Sequence, residues 1–205
     1  MKNVKKLICG LTVLALMLCG LGLAEGKVVK PMAAPIDLAA PADGIYGAAF
    51  QPADLADGAL RFVIYTEDCY DIVDISTLAV GDTICVGGTD VVIESLERAD
   101  DLLINGGIDE GGFNLRAYDE DNCWKMAMED DHATWTECGE TALPLAENVT
   151  FTDGWEIGQE PVTVTGAEAV AEAVNGADME DFMYLNTTVR VEGGEIVEIN
   201  RTYMP

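Results

Sequence analysis

The chain has 205 residues and a formal net charge of −26 at pH 7, because it holds 37 acidic residues and only 11 basic ones. A surface field of this sign repels phosphate groups, so nucleic acids and anionic membrane surfaces are not expected as partners. About half of the residues are hydrophobic (49%) and 23% are charged, which excludes a disordered chain and predicts a domain with a core. The acidity is typical of a soluble exported protein, and it also favours attraction of cations or of a basic partner.

Residues 1–24 have the pattern of a secretory signal peptide. The segment has Lys2, Lys5 and Lys6 near its start, continues with an apolar run from Leu7 to Leu18, and ends with Gly22-Leu23-Ala24, which offers small residues at a cleavage site. We therefore predict cleavage at the end of this segment and a secreted or cell-surface protein. An uncleaved membrane anchor and a lipid on Cys19 are the alternatives. Cleavage would remove three lysines and no acid, leaving 8 basic and 37 acidic residues and a net charge of −29.

Residues 25–43 are rich in alanine and proline and lack helical or strand periodicity, which predicts a spacer. A single domain is expected from residue 44 to residue 205. In it, short β-branched or aromatic runs recur about every ten residues, a spacing that favours a mainly β fold, an antiparallel barrel or sandwich. The predicted strands are Ala59 to Tyr65, Tyr70 to Ile75, Thr83 to Val86, Val91 to Leu96, Leu102 to Asn105, Phe113 to Tyr118, Asn148 to Thr152, Thr187 to Glu192 and Glu195 to Thr202.

One or two short helices are predicted near the C-terminus. Thr165-Gly166-Ala167-Glu168 has the spacing of a capping box, and apolar residues then repeat at helical intervals until Asn175-Gly176. A second short helix is predicted around Phe182. The last two strands meet at Gly193-Gly194, where the sequence leaves two registers open, a bulged three-residue loop or a two-glycine turn.

The stretch from Cys123 to Cys138 predicts a β-hairpin that turns at Asp130-Asp131. In this register the two cysteines lie opposite each other, one face is apolar and aromatic, and the other is mostly polar. Cys123 is therefore predicted to pair with Cys138, which leaves Cys69 for Cys85. Four free thiols are the alternative. A zinc site is not expected, because the chain has one histidine and no Cys-x-x-Cys.

Residues suited to catalysis are scarce after the predicted signal peptide. Ser76 and Ser95 are the only serines, and neither lies in a nucleophile elbow. His132, the only histidine, is placed at the acidic hairpin turn, where a solvated surface role is expected. Carboxylate pairs are too numerous to single one out. No catalytic residue is assigned.

Calcium is the metal that the acidic composition favours, because Ca²⁺ takes oxygen ligands and is supplied outside the cell. The run from Asp119 to Asn122 begins like a calcium loop, with Asp119 and Asp121 as ligands, although Trp124 stands where such a loop needs glycine. A solvated acidic turn is the alternative. A copper site would use Met126, Met128 and His132, but the two methionines belong to the apolar hairpin face, which favours a place in the core.

An aromatic platform for sugars is a further possibility, because a flat ring gives a large contact area at a modest cost in entropy. The candidate rings are Trp124, Trp135, Trp155, Tyr118 and Tyr184. Trp155, at a predicted turn after Asp153-Gly154, and Tyr118 are the predicted ligand-binding residues. Asn148 and Asn186 each begin an acceptor motif for N-glycosylation.

The sequence therefore favours an exported, non-enzymatic binding or interaction domain with an extracellular ligand or protein partner and no required cofactor. One alternative is an extracellular glycoside hydrolase that uses a carboxylate pair. Another is a surface module stabilised by calcium.

Overall fold

The computed structural model describes residues 26–32, 36–118, 122–127, 133–156, 158–177 and 182–203. The strands are β1 (Val28–Val29), β2 (Gly44–Ala49), β3 (Leu55–Ala56), β4 (Ala59–Glu67), β5 (Tyr70–Asp71), β6 (Thr83–Val86), β7 (Thr89–Val92), β8 (Leu96–Arg98), β9 (Leu102–Ile104), β10 (Phe113–Tyr118), β11 (Cys123–Met126), β12 (Trp135–Gly154), β13 (Val162–Thr165), β14 (Thr187–Glu192) and β15 (Glu195–Thr202). The helices in these ranges are α1 (Ile72–Ser76) and α2 (Ala167–Asn175), with 3₁₀ turns at Pro52–Asp54 and Ile108–Glu110. The predicted mainly β fold is confirmed, and the antiparallel sheets fit the predicted barrel or sandwich.

The largest sheet closes on itself. Its seven strands follow the order β13-β12-β15-β14-β2-β4-β3, and β12 also pairs with β4. The first half of β12 runs antiparallel to β4, and its second half runs parallel to β15. Strands β4, β2, β14, β15 and β12 therefore form a ring, which we call the closed sheet.

Alternating side chains of the closed sheet fill its interior. On β4, Leu60, Phe62 and Ile64 are buried, while the residues between them point outward, as the two-residue period of a strand requires. Helix α2 contacts β12, β13 and β3 and adds Val170 and Val174 to the same core. The residues that lie between the buried ones therefore form the outer face of the closed sheet.

A second core lies under two smaller sheets. One has the strand order β5-β11-β10-β9-β8, and the other has the order β1-β6-β7. Their shared core contains Tyr70, Ile75, Ile84, Ile93, Leu102, Ile104 and Leu115. Among the described residues, no helix is long and apolar enough to cross a membrane.

The described residues of the predicted spacer contact the rest of the chain. β1 runs parallel to β6, and the amide of Met32 donates to the carbonyl of Cys69 at 2.6 Å. The hydroxyl of Thr141 donates to the carbonyl of Leu38 at 2.5 Å. These parts of the segment pack on the folded chain, and the domain boundary at residue 44 stays a prediction.

The strand predicted from Tyr70 to Ile75 is wrong after its first two residues, because helix α1 begins there. Asp71 is the cause, since its side chain accepts from the amide of Val73 at 2.7 Å and caps the helix. Only Ile75 of this helix is buried. The strand predicted from Val91 to Leu96 is also interrupted, since β7 ends at Val92 and β8 begins at Leu96.

The predicted cysteine pairing is wrong. The disulfide joins Cys69 to Cys123, with their Cα atoms 5.8 Å apart, and Cys85 and Cys138 are free thiols. The reason lies in strand pairing, because β11 pairs with β10 and β5 whereas β12 pairs with β4. Cys123 therefore does not face Cys138. The turn predicted at Asp130-Asp131 falls outside the described residues.

The C-terminal predictions are closer to the structure. Helix α2 ends at Asn175 as predicted, but Gly166 is its N-cap and no side chain caps it. Strands β14 and β15 have a feature of each predicted register. Val191 lies opposite Ile196, as a two-glycine turn requires, and a bulge then separates this pair from the pair of Arg190 with Glu198. The predicted second helix falls partly on residues 178–181, which are not among those described.

Candidate ligand-binding surface

Three aromatic side chains meet on the outer face of the closed sheet. Tyr65 follows buried Ile64 on β4 and therefore points outward. The ring of Tyr184 stacks on it, with ring centroids 4.3 Å apart and an angle of 21° between the planes. Both rings are half-buried, as is that of Trp135 at the start of β12. We call Tyr65, Trp135 and Tyr184 the aromatic surface.

A glycine lets these rings lie close to the sheet. Gly47 on β2 is opposite Tyr65 in the strand register. A Cβ atom at this glycine would lie 3.1 Å from Cε3 of Trp135 and 3.2 Å from Cβ of Tyr65. The indole of Trp135 therefore rests on the backbone of β2, and a side chain at this position would require the indole or Tyr65 to shift by a few tenths of an ångström.

A row of polar side chains crosses the closed sheet through the same position. The register places one residue of the row on each of β4, β2, β14 and β15 and one at either end of the row on β12, since paired residues share a face. Its members are Glu137, Tyr65, Gly47, Thr188, Asn200 and Thr152. The hydroxyl of Tyr65 donates to Oε2 of Glu137 at 3.3 Å. Partial burial, together with this carboxylate, raises the pKa of Tyr65. The outer face thus offers hydroxyl, amide and carboxylate groups next to aromatic rings.

A cleft adjoins the aromatic surface. Its volume is 330 Å³, and it is lined by Glu67, Tyr118, Lys125, Met126 and Ala133. Glu67 lies opposite Trp135 in the register of β4 and β12. Its Oε2 is 3.0 Å from Nζ of Lys125, and this ammonium lies 5.8 Å from the centroid of the Tyr118 ring. The cleft and the aromatic surface are therefore continuous along β4.

A buried carboxylate holds the start of β12 in place. Asp68 is 1% exposed and accepts from Oγ1 of Thr136 at 2.6 Å and from the amide of Gly87 at 2.7 Å. Its own amide donates to the carbonyl of Thr134 at 2.7 Å. Burial raises the pKa of Asp68, and the hydrogen bonds from Thr136 and Gly87 oppose that rise. Asp68 thereby positions Trp135, and sequence reasoning missed it because an acid between two strands has the pattern of a solvated turn.

The disulfide joins the two walls of the cleft. Cys69 comes two residues after Glu67 on one wall, and Cys123 comes two residues before Lys125 on the other. Cys123 is 2% exposed. Each half of the covalent link is thus two residues in sequence from one partner of the ion pair.

The two predicted ligand-binding residues lie in different places. Tyr118 lines the cleft, whereas Trp155 follows the last residue of β12, at the opposite end of that strand from Trp135. Trp155 meets Tyr203 edge to face at 5.7 Å and lies near the buried Arg201. A smaller cavity of 200 Å³ is lined by neighbours of Trp155, namely Asp153, Gly154, Glu156, Gln159, Glu160 and Val162.

Of the other candidate rings, Trp124 does not join the aromatic surface. It packs against the second core, and its indole Nε1 is buried without a hydrogen-bond partner. Trp135 and Tyr184, in contrast, are brought together with Tyr65, which the sequence did not single out. The pairing of β4 with β12 brings Tyr65 and Trp135 together, and Tyr184 reaches them from the turn before β14.

The predicted metal ligands cannot be placed together. Asp119 and Asp121 lie outside the described residues, as do Met128 and His132. In the part of the chain that the structure describes, no group of three or more His, Cys, Asp or Glu side chains is arranged to hold a metal ion. The calcium site stays a prediction, and an unchanged melting temperature on addition of a chelator would contradict it.

The two glycosylation motifs differ in accessibility. Asn148 is exposed on β12. Asn186 is 3% exposed, and its Oδ1 accepts from the hydroxyl of Thr187 at 2.6 Å and from the amide of Met183 at 3.0 Å. Of these two positions, only Asn148 is presented for modification in the folded chain.

No protein-family model matches the chain, and searches of curated proteins and of solved structures give no significant match. The function is therefore inferred from the residues of the site themselves.

Proposed function

We propose that the chain is an exported, non-enzymatic binding domain whose ligand contacts the aromatic surface and the adjoining cleft. The observation that carries the proposal is the seating of Trp135 on Gly47 beside the stacked pair of Tyr65 and Tyr184. Half-buried rings packed against a sheet give a ligand a large contact area at a small loss of side-chain entropy.

The carboxylates near this surface favour binding over hydrolysis. Glu67 is paired with Lys125, and Glu137 accepts from Tyr65. Asp68, whose raised pKa would suit a general acid, is 1% exposed and held by structural hydrogen bonds. These acids make contacts that stabilise the fold, so the aromatic rings are the groups that we propose face a ligand.

Export is supported by the signal-like N-terminus and by the disulfide, because disulfides persist in oxidising compartments. The net charge of −26 suits an extracellular protein that must remain soluble.

The proposal is tested by ligand titrations that follow tryptophan emission. The probes are neutral oligosaccharides, lysine-rich peptides and aromatic amphiphiles, and the proteins are the wild type, Trp135→Ala and Trp155→Ala. We expect at least one probe to bind, with affinity at least tenfold weaker for Trp135→Ala and unchanged for Trp155→Ala. The proposal would be overturned if Trp135→Ala bound every ligand as well as the wild type does, or if no probe bound. Release of reducing sugar ends would also overturn it.

A further inference from the structure

We infer that the ligand of the aromatic surface is a basic segment of a partner protein, with a lysine or arginine side chain held against the rings and the carboxylate of Glu137. This inference rests on the proposed binding function and names the class of its ligand. It combines three features of the outer face of the closed sheet, which are two carboxylates without a counter-ion, the rings beside them and exposed apolar side chains around the rings.

Two carboxylates next to the rings have no counter-ion. Glu137 on β12 lies opposite Tyr65, and Glu140 lies opposite Val63, two residues before Tyr65 on β4. The residue between Val63 and Tyr65 is buried, so both glutamates belong to the outer face. In the part of the chain that the structure describes, neither glutamate is in an ion pair, and Glu137 uses only Oε2, which accepts from the hydroxyl of Tyr65 at 3.3 Å. Both exposed carboxylates are therefore open to a cation from outside the chain.

The basic side chains around these carboxylates are engaged by other acids. The strands of the closed sheet contain no lysine and three arginines, one of which is buried. Of the other two, Arg190 lies 2.8 Å from Glu198, and Arg61 lies 3.8 Å from Asp54. The lysine that lines the adjoining cleft is likewise paired across it. A cation beside Glu137 is therefore a group that a ligand can supply.

The rings suit the same side chain. Aromatic faces attract ammonium and guanidinium groups, and the apolar stem of lysine or arginine can lie along a ring while its charge reaches a polar partner. The hydroxyl of Tyr65 contacts Glu137, and the centroid of its ring is 4.3 Å from that of Tyr184. One long basic side chain can therefore contact the rings and the free oxygen of Glu137 together.

Charge selects a basic ligand over a neutral or an acidic one. A neutral ligand that covered Glu137 would remove water from an unpaired carboxylate, which costs free energy. A basic side chain replaces that water with a charge-assisted hydrogen bond. The net charge of −26 also attracts basic proteins and repels acidic ones.

Exposed apolar side chains around the rings favour a protein segment over a small cation. Met183 and Leu185 flank Tyr184 in sequence and are 43% and 42% exposed. Ile45, two residues before Gly47 on β2, is 66% exposed. Aromatic residues and methionine are enriched at protein interfaces, which surround an apolar centre with polar groups. A small cation would leave these side chains in water.

The experiment measures binding of short peptides by calorimetry at physiological salt. One basic peptide alternates leucine with lysine, and the other alternates leucine with arginine. Their neutral counterparts carry acetyl-lysine and citrulline, which keep the length of each side chain and remove its charge. We expect at least one basic peptide to bind the wild type, and its neutral counterpart and free lysine to bind much more weakly.

Matched variants separate the site from the overall charge. Glu137→Gln and Tyr184→Ala should each weaken binding of the basic peptide by about fivefold. Glu97→Gln makes the same change in net charge at an exposed acid on β8, in another sheet, and should bind like the wild type. Tyr184→Phe, which keeps the ring, should also bind like the wild type. Circular dichroism confirms that each variant is folded.

The outcomes separate this inference from the function on which it rests. If a neutral oligosaccharide or an aromatic amphiphile binds in a Trp135-dependent way and neither basic peptide does, the basic ligand is wrong and the binding surface stands. Equal binding of the neutral counterpart, or of free lysine, also overturns the inference. Equal losses for Glu137→Gln and Glu97→Gln would show attraction to the net charge alone and would overturn it as well. If no probe binds, both the inference and the proposed function are wrong.

Discussion

Single residues at the junction of the two cores determine the shape of the candidate site. Gly47 matters for the side chain it lacks, because a Cβ atom there would displace Trp135. Asp68 matters for its burial, because it links the turn at Gly87 to the start of β12 through Thr136. Neither residue would contact a ligand on the aromatic surface directly, yet both decide where its rings lie.

The buried Asp68 is expected to make stability depend on pH. The folded chain holds this proton to a higher pH than the unfolded chain, where the pKa is near the ordinary value of 3.8. Its contribution to stability is therefore complete below that value and is lost as pH rises through the raised pKa. Asp68→Asn removes the titration, so the free energy of unfolding of the wild type should fall relative to the variant as pH rises across this window.

Urea denaturation of both proteins at a series of pH values measures this difference. Glu67 and Tyr70 lie beside Asp68 and are present in both proteins. Parallel pH profiles for the wild type and the variant would show that Asp68 does not titrate differently on folding.

At the scale of elements, one N-cap residue explains why a segment predicted as a strand is a helix. The residues after Tyr70 are rich in β-branched side chains, which favours a strand, but Asp71 accepts from the amides of Val73 and Asp74 and begins α1. We expect Asp71→Ala to lower the free energy of unfolding by about 1 kcal/mol, the usual cost of a lost N-cap. Asp71→Asn, which keeps an acceptor, should cost less. Equal midpoints in urea for the wild type and Asp71→Ala would contradict this role of the cap.

Strands that depend on a local sequence pattern could be predicted from the sequence, whereas the strands with which they pair could not. Phe113 to Tyr118 and Thr187 to Glu192 form strands with the predicted bounds, because a two-residue period and flanking turn residues are local signals. The pairing of Cys123 with Cys138 was wrong, since it assumed that strands adjacent in sequence pair with each other. In the candidate site, Tyr118 was predicted but Tyr65 was not, since its neighbours Trp135 and Tyr184 come from β12 and from the turn before β14, far away in sequence.

At the scale of the whole molecule, the disulfide joins the segment after β4 to β11 and spans 54 residues of sequence. A loop of this length predicts a stabilisation of about 4 kcal/mol from the restricted unfolded chain. We expect the variant with Cys69→Ala and Cys123→Ala to lose about 2–4 kcal/mol of unfolding free energy. Reductant should destabilise the wild type by a similar amount and leave the variant unchanged.

Peptide mapping under non-reducing conditions checks the pairing independently. A cross-linked fragment that contains Cys69 and Cys123 is expected, with alkylation of Cys85 and Cys138 after denaturation. A fragment that links Cys123 to Cys138 would contradict the structure and restore the hairpin pairing.

The closure of the large sheet by β12 has a consequence for the resistance of the protein to aggregation. An open sheet presents a row of unpaired amide and carbonyl groups to other chains, which is a route to aggregation. In this sheet β12 closes the ring, because it pairs with β4 along its first half and with β15 along its second half. Loss of the pairing of β12 with either strand would also disturb its pairing with the other. We therefore expect the ring to unfold in one cooperative transition, without a partly unfolded state that exposes a free strand edge.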